Sequence, residues 1–256
     1  MSNSHTKYYL STSAGSGKTR ATVTMMLSPE NTQRNFVVVS PTIALTMQTF
    51  GDIKQELGTA ERDVRPIVSD QASEDRRPVA TQAREVLEEM NHTNGIILLL
   101  CVPTLLTADA PVTVRRVNAS IVLDETFQPF QFNTFNLGDE NHRQTNLEYF
   151  SELFSLSPNG GPLMVQDGKE TLVDAVARGD EVDFGGRYSA LKPIAAMVND
   201  PATHCELVSN YTKLMNNELQ TIQVASTISP KAFNKFPKVT IMSALFEETA
   251  LYIVWK

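Results

Sequence analysis

The chain has 256 residues, a formal net charge of −7, 41% hydrophobic residues and 20% charged residues. This balance describes a globular protein able to bury a sizeable core, most simply as one domain with elaborations, and it excludes disordered and fibrous classes. The acidic balance also excludes a small basic module that neutralises nucleic-acid phosphates over its whole surface, while leaving room for a local basic groove.

The N-terminus, MSNSHTKYYL, has no charged region followed by an apolar one, and the longest apolar run, residues 95–106, is too short to span a bilayer. A soluble, cytoplasmic protein is the expectation, and Cys101 and Cys205, which lack C-x-x-C spacing, read as reduced thiols.

In chain order, residues 7–10 form a β-prone stretch, the small-residue run STSAGSGKT follows, and RATVTMML has helical spacing of its apolar side chains. This predicts strand, loop and helix. Residues 35–39 are a β-branched run ending at Ser40 and Pro41, and Ile43, Leu45, Met47, Phe50 and Ile53 mark a helix through Leu57. Residues 64–68 predict a third strand, and residues 79–90 a solvent-facing helix with Val86, Leu87 and Met90 on one side. Residues 95–101 and 119–123 are near-continuous apolar runs of strand length, as in a parallel sheet covered on both faces. Strands alternating with helices make the fold class α/β.

From residue 127 to 236 the pattern loosens into an aromatic, Asn-rich stretch (QPFQFNTFNL) and Gly-rich ones (SPNGGP, DFGGR). Helices are expected at 147–156, 172–177, 190–198 and 205–219. This segment reads as a largely helical insertion within a single domain spanning 1–256. Residues 238–242 restore a strand, and an apolar stretch at 251–255 closes the chain.

Gly17, Lys18 and Thr19 supply the G-K-[ST] end of a phosphate-binding loop, preceded by Ser13, Ala14, Gly15 and Ser16. The glycines let backbone N–H groups converge on phosphate oxygens, and the following helix offers its unpaired amides and positive dipole end. Lys18 is expected to reach the β- and γ-phosphates of ATP, and the Thr19 hydroxyl to ligate Mg²⁺. Thr12 stands where the strict pattern has its first glycine. A second anchor is Ile121-Val122-Leu123-Asp124-Glu125, an apolar strand ending in adjacent carboxylates. Asp124 is expected to hold Mg²⁺, and Glu125 to orient or deprotonate the attacking water. On its own such an acidic strand end is as readily a solvated turn.

With these motifs in order, the chain resembles the first motor domain of superfamily 2 helicases and translocases over residues 8–106, 119–127 and 239–252. STSAGSGKT looks like motif I, VVVSPTIALTMQ like motif Ia, DETF like motif II, and IMSAL, with Ser243 and Ala244, like motif III. The resemblance implies a RecA-like three-layer sandwich with a mainly parallel sheet. It further implies nucleic-acid contacts at Pro41, Thr42 and Gln48, a further contact in the Pro103 to Leu106 region, and coupling of nucleotide state to movement at Ser243 and Ala244. Ser243 is expected to hydrogen-bond towards motif II. DNA and RNA stay open as the substrate, and a second motor lobe, absent here, is expected as a partner.

Two departures accompany the resemblance: the stretch between Asp124 and Ser243 exceeds what a compact motor needs, and the sequence stops soon after motif III. A DNA-packaging motor of another P-loop class, and a nucleotide-binding interaction module without turnover, are the rival readings. Gly185-Gly186-Arg187 lies between motifs II and III and reads as a turn, not an arginine finger. Arg62, Arg65, Arg76, Arg77, Arg84, Arg115 and Arg116 default to a solvated face.

Overall fold

The computed structural model describes residues 6–11, 13, 15–69, 77–108, 117–156, 162–179, 187–200, 203–244 and 246–255. The chain divides into two compact units, Met1–Gln128 with Phe233–Lys256, and Pro129–Ala232.

The first unit opens with β1 (Thr6–Ser11), α1 (Lys18–Leu27), β2 (Phe36–Ser40), α2 (Ile43–Leu57), β3 (Val64–Ile67), α3 (Val79–Glu89), β4 (Ile97–Cys101), α4 (Val102–Ala108) and β5 (Ser120–Asp124). The second unit holds β6 (Phe130–Asn136), α5 (Glu140–Leu153), β7 (Phe154–Ser155), β8 (Met164–Val165), α6 (Glu170–Arg178), α7 (Lys192–Asn199), β9 (Thr203–Leu207), α8 (Tyr211–Met215) and β10 (Thr221–Ile228). The chain then returns to the first unit with β11 (Lys238–Ser243) and α9 (Ala250–Trp255).

In the first unit six strands pair in parallel in the order β1-β11-β5-β2-β4-β3. Every position of β2 and β4 is buried, which is why their sequences are unbroken apolar runs: helices cover both faces, so no strand position can remain polar for solvent. On one face Val23 and Met26 of α1 and Ile53 of α2 close over Phe36, Val38, Ile97 and Leu99, each buried Leu or Ile contributing about 1.5–3 kcal/mol. The α/β class and the mainly parallel sheet expected from the sequence are present.

Two polar residues fasten this core. The Asn35 side-chain amide donates to the Met90, Thr93 and Asn118 carbonyls and accepts from the Ile96 amide, tying together the starts of β2, β4 and β5. Arg62, expected on a solvated face, instead donates to the carbonyls of Met26, Asn31, Arg34 and Gly95. The expectation failed because the Met26 carbonyl in the last turn of α1 and three loop carbonyls converge on one point and are satisfied there by a single planar donor; Arg76, Arg115 and Arg116 lie outside the described residues. Arg65 sits between Asp63 and Glu89, 2.6 Å from the latter.

The second unit corrects the expected helix at 205–219. Residues 203–207 are β9, and Asn210 then caps the short α8 by accepting from the Lys213 amide at 3.0 Å. The β-extended Asn210 forces that break. Alongside four helices the unit carries an antiparallel sheet, β6-β10-β9, that the sequence reading did not assign. One face of the sheet, with Phe135, Ile222 and Val224, joins a core built on Leu147, Phe150, Val176, Tyr188 and Ile194.

Candidate nucleotide site

Parallel strands in this order bring the C-terminal ends of β1, β11 and β5 side by side, with Ser11 opposite Ser243 and Met242 opposite Asp124. Segments far apart in sequence thus meet at one edge, the place where α/β sheets bind ligands.

From the end of β1, Ser13, Gly15, Ser16 and Gly17 lead into α1, which begins at Lys18. The expected contributions of Ala14, and of Thr12 in the glycine position, lie outside the described residues. Gly15 and Gly17 adopt φ of 73° and 80°, a left-handed backbone that strains a side-chain-bearing residue and turns N–H groups toward a common point. The Ser16 amide donates to the Ser13 carbonyl at 3.3 Å, and the Ala21 amide to the Gly17 carbonyl at 2.9 Å closes the first helical turn. No acidic residue of α1 itself stands in that turn, so nothing within the helix offsets the positive end of its dipole. The Lys18 ammonium lies over its own loop, donating to the Ser13 carbonyl at 3.0 Å and to Ser16 Oγ at 3.5 Å.

Thr19 and Asp124 come together. Thr19 Oγ1 lies 3.2 Å from both Asp124 Oδ1 and Oδ2. Asp124 is only 8% exposed, and burial raises its carboxyl above the usual range; the neighbouring Glu125 acts in the same direction, while the Thr19 hydrogen bond and the Lys18 charge oppose it. A hydroxyl and a desolvated carboxylate at one point are hard oxygen donors, the type Mg²⁺ prefers. The residues present therefore fit that ion.

Glu125 is exposed and has φ of 78°, while its amide donates to the Met242 carbonyl at 2.8 Å. A non-glycine residue in this region costs on the order of 1 kcal/mol or more and is over-determined by its surroundings. Here the ladder between β5 and β11 continues one residue past the strand and turns the side chain out of the sheet.

Ser243, 5% exposed, donates its hydroxyl to the Ala244 carbonyl at 3.0 Å. This corrects the expected hydrogen bond towards motif II: the bend after β11 presents the adjacent carbonyl first. The sequence reading also missed Ser11, whose Oγ accepts from the Phe246 amide at 3.1 Å and ties the end of β1 to the segment after β11. No local sequence signal marks it, because its role depends on the register that sets Ser11 beside Ser243.

Of the expected nucleic-acid contacts, Thr42 caps α2, its Oγ1 accepting from the Leu45 amide at 3.3 Å. Pro41 is half-buried at the end of β2, and Gln48 is exposed on α2. Pro103 is exposed at the start of α4, and the side chain of Leu106 lies outside the described residues. The Arg187 guanidinium stacks 4.2 Å from the Tyr149 ring centroid and pairs with Glu152 within the second unit.

A family model, the res subunit of type III restriction enzymes, matches residues 1–158, from before the phosphate loop to beyond β5. The chain belongs to this family. Its first unit is accordingly a superfamily 2 helicase-type motor domain, as motifs I, Ia and II lead one to expect; motif III in β11 lies outside the matched stretch. No curated protein matches the chain. A solved structure described as an XPD helicase aligns with a TM-score of 0.39 and 11% identity over 93% of this chain and 54% of that one. The chain therefore spans about half the length of that relative. Among the described residues no helix is long and apolar enough to cross a membrane.

Proposed function

We propose that the res-family unit binds ATP with Mg²⁺ at the loop of Ser13 to Thr19 and hydrolyses it slowly, as the first lobe of a nucleic-acid motor. The observation that carries this reading is the meeting of Thr19 with Asp124 across the end of the sheet. Glycines with left-handed backbone and the free amides of a helix start suit a polyphosphate, but only the carboxylate beside the hydroxyl adds a divalent-cation site.

Bound Mg²⁺ supplies neutralisation of the β- and γ-phosphate charge. The chain's own residues do the rest. The Gly15 to Lys18 backbone orients the phosphates, and Lys18 exchanges its bonds to Ser13 and Ser16 for γ-phosphate oxygens. Glu125, turned out of the sheet by its backbone, aligns a water for in-line attack and accepts its proton. Pro41, Thr42 and Gln48, at the same end of the sheet, face the nucleic-acid backbone, with Ser243 and Ala244 relaying nucleotide state between β1 and β5. Rapid turnover and translocation need a second lobe to bring a cation onto the leaving γ-phosphate.

The test is ATP turnover by the purified chain, with and without single- and double-stranded DNA or RNA, beside Glu125→Gln. Turnover stimulated by nucleic acid and lost in Glu125→Gln supports the motor; ATP binding with no turnover in either protein refutes hydrolysis by this chain. A second reading, a nucleotide-dependent docking module, is favoured by Phe132, which is 78% exposed on β6.

A further inference from the structure

The end of β2 buries a hydroxyl that the fold does not use. Ser40, the last residue of that strand, is 1% exposed, and among the described residues nothing hydrogen-bonds to its Oγ. A buried hydroxyl without a partner is less stable than no hydroxyl at all, so packing alone would favour Ala here. Alternation puts Ser40 on the same face of the sheet as Phe36 and Val38, which pack under α1 and α2. Val38 stands opposite Val122 and Val39 opposite Leu123. The next step of this ladder sets Ser40 beside Asp124, on the face from which Thr19 reaches the carboxylate. On its other side Ser40 stands opposite Cys101, whose Sγ is already joined to Thr104 Oγ1 at 3.0 Å. The Thr46 hydroxyl of α2 is committed to the Thr42 and Leu100 carbonyls. Asp124 is therefore the neighbour for which the Ser40 hydroxyl is placed.

Building on the ATP and Mg²⁺ reading above, we infer that Ser40 is a positioning residue for Asp124: with Mg²⁺-ATP bound, its hydroxyl donates to one carboxylate oxygen while Thr19 holds the other. Thr19 Oγ1 stands 3.2 Å from both oxygens, and one O–H cannot serve both well. Ligating the cation through its oxygen fixes the Thr19 hydroxyl on one side of the carboxylate, so the second oxygen is left to a donor from the sheet. Adjacent strands are about 4.8 Å apart, a span that rotation about χ1 of Ser40 closes between a hydroxyl and a carboxylate on one face. Two donors on the two oxygens fix the plane of the carboxylate, and with it the direction of the lone pairs offered to the cation and its waters. Ser40 touches neither ATP nor Mg²⁺ and acts through Asp124.

The experiment measures ATP affinity of the whole chain by calorimetry, in Mg²⁺ and in EDTA, for the native protein, Ser40→Ala and Ser40→Thr, and repeats Ser40→Ala in an Asp124→Ala background. The ratio of the two affinities reads the cation site, and the EDTA value reads the phosphate loop alone. Ser40→Ala should lower that ratio about tenfold with the EDTA value unchanged, and Ser40→Thr, which keeps the hydroxyl, should restore most of it. In Asp124→Ala the same substitution should change nothing further. The nucleotide-free protein should respond in the opposite sense: without its unpaired hydroxyl, Ser40→Ala should melt about 2–4 °C higher. A gain in melting temperature together with a loss of cation affinity is a result that a merely structural serine does not give. A ratio left intact by Ser40→Ala, an equal loss in EDTA, a lower melting temperature, or a tenfold effect that persists in Asp124→Ala each overturns the role of Ser40 while the ATP site stands. A native protein whose ATP affinity is the same in Mg²⁺ and EDTA, or that binds no ATP, overturns the Mg²⁺-ATP reading and this inference together.

Discussion

The two units bury comparable cores by different rules. In the first, β2 and β4 are covered on both faces and buried at every position. In the second, β10 alternates, with Ile222, Val224 and Ile228 buried and Gln223 exposed between them. A strand covered on both faces has no freedom to carry chemistry along its length, so the first unit places its candidate site residues at or just past the strand ends, at Gly15 to Thr19, at Asp124 and Glu125, and at Ser243. A sheet with one open face can display side chains along a strand, as β6 displays Phe130 and Phe132. The difference teaches where to look for function in each: beyond the ends of the parallel strands, and on the face of the antiparallel ones.

That contrast can be broken by substitutions that separate packing from binding. Phe150→Ala, at a fully buried ring packed against Phe154, should cost about 3–5 kcal/mol in chemical denaturation, while the protein still folded binds Mg²⁺-ATP normally. A large loss of ATP affinity without unfolding would mean that the second unit shapes the nucleotide site. Lys18→Ala should do the reverse, weakening ATP about a hundredfold, or about 2.7 kcal/mol, with the melting temperature nearly unchanged. Unaltered affinity would dismiss the phosphate loop.

A pH series probes the first unit where the chain returns to it. Burial lowers the Lys235 ammonium from 10.5 to about 8. Its folded state therefore releases the proton before the unfolded state does, so stability should rise as pH increases from about 8 towards 10.5. Lys235→Met should be the more stable protein at pH 7 and should lack that rise, by thermal melts across the pH series; parallel pH profiles would show that Lys235 is not the group responsible. The smallest effect is expected at Phe132→Ser, within about 0.5 kcal/mol of the native stability. A larger loss would show that the ring is part of a core, and the open-face reading of β6 would fall.

Legibility in the sequence follows the same contrast. The runs FVVVS and ILLLC and the carboxylate-ended strand 119–124 announced the parallel sheet, because burial on both faces leaves an unbroken apolar signature. STSAGSGKT and DETF marked where the ends of β1 and β5 hold Thr19 and Asp124. The second unit was read as largely helical because β6, FQFNTFN, mixes aromatic and amide side chains on both faces, and β9 is too short for a period to stand out. The alternation in TIQVASTI was present at 221–228 and was passed over. No single-residue signal marks Arg62 as a donor to four carbonyls, because that role depends on where α1 ends. Likewise the left-handed backbone of Glu125 arises from pairing with β11, more than a hundred residues later in the chain.

That backbone has a consequence for reading relatives. At φ of 78° glycine is the residue of least strain, so exchanging Glu125 for Gly should make the fold sturdier by about 1 kcal/mol while removing the carboxylate that we propose aligns water. Under the proposed function, position 125 thus sets durability against turnover within one residue. On that proposal, a homologous sequence with an intact G-K-T but glycine after the aspartate would be expected to bind nucleotide without hydrolysing it.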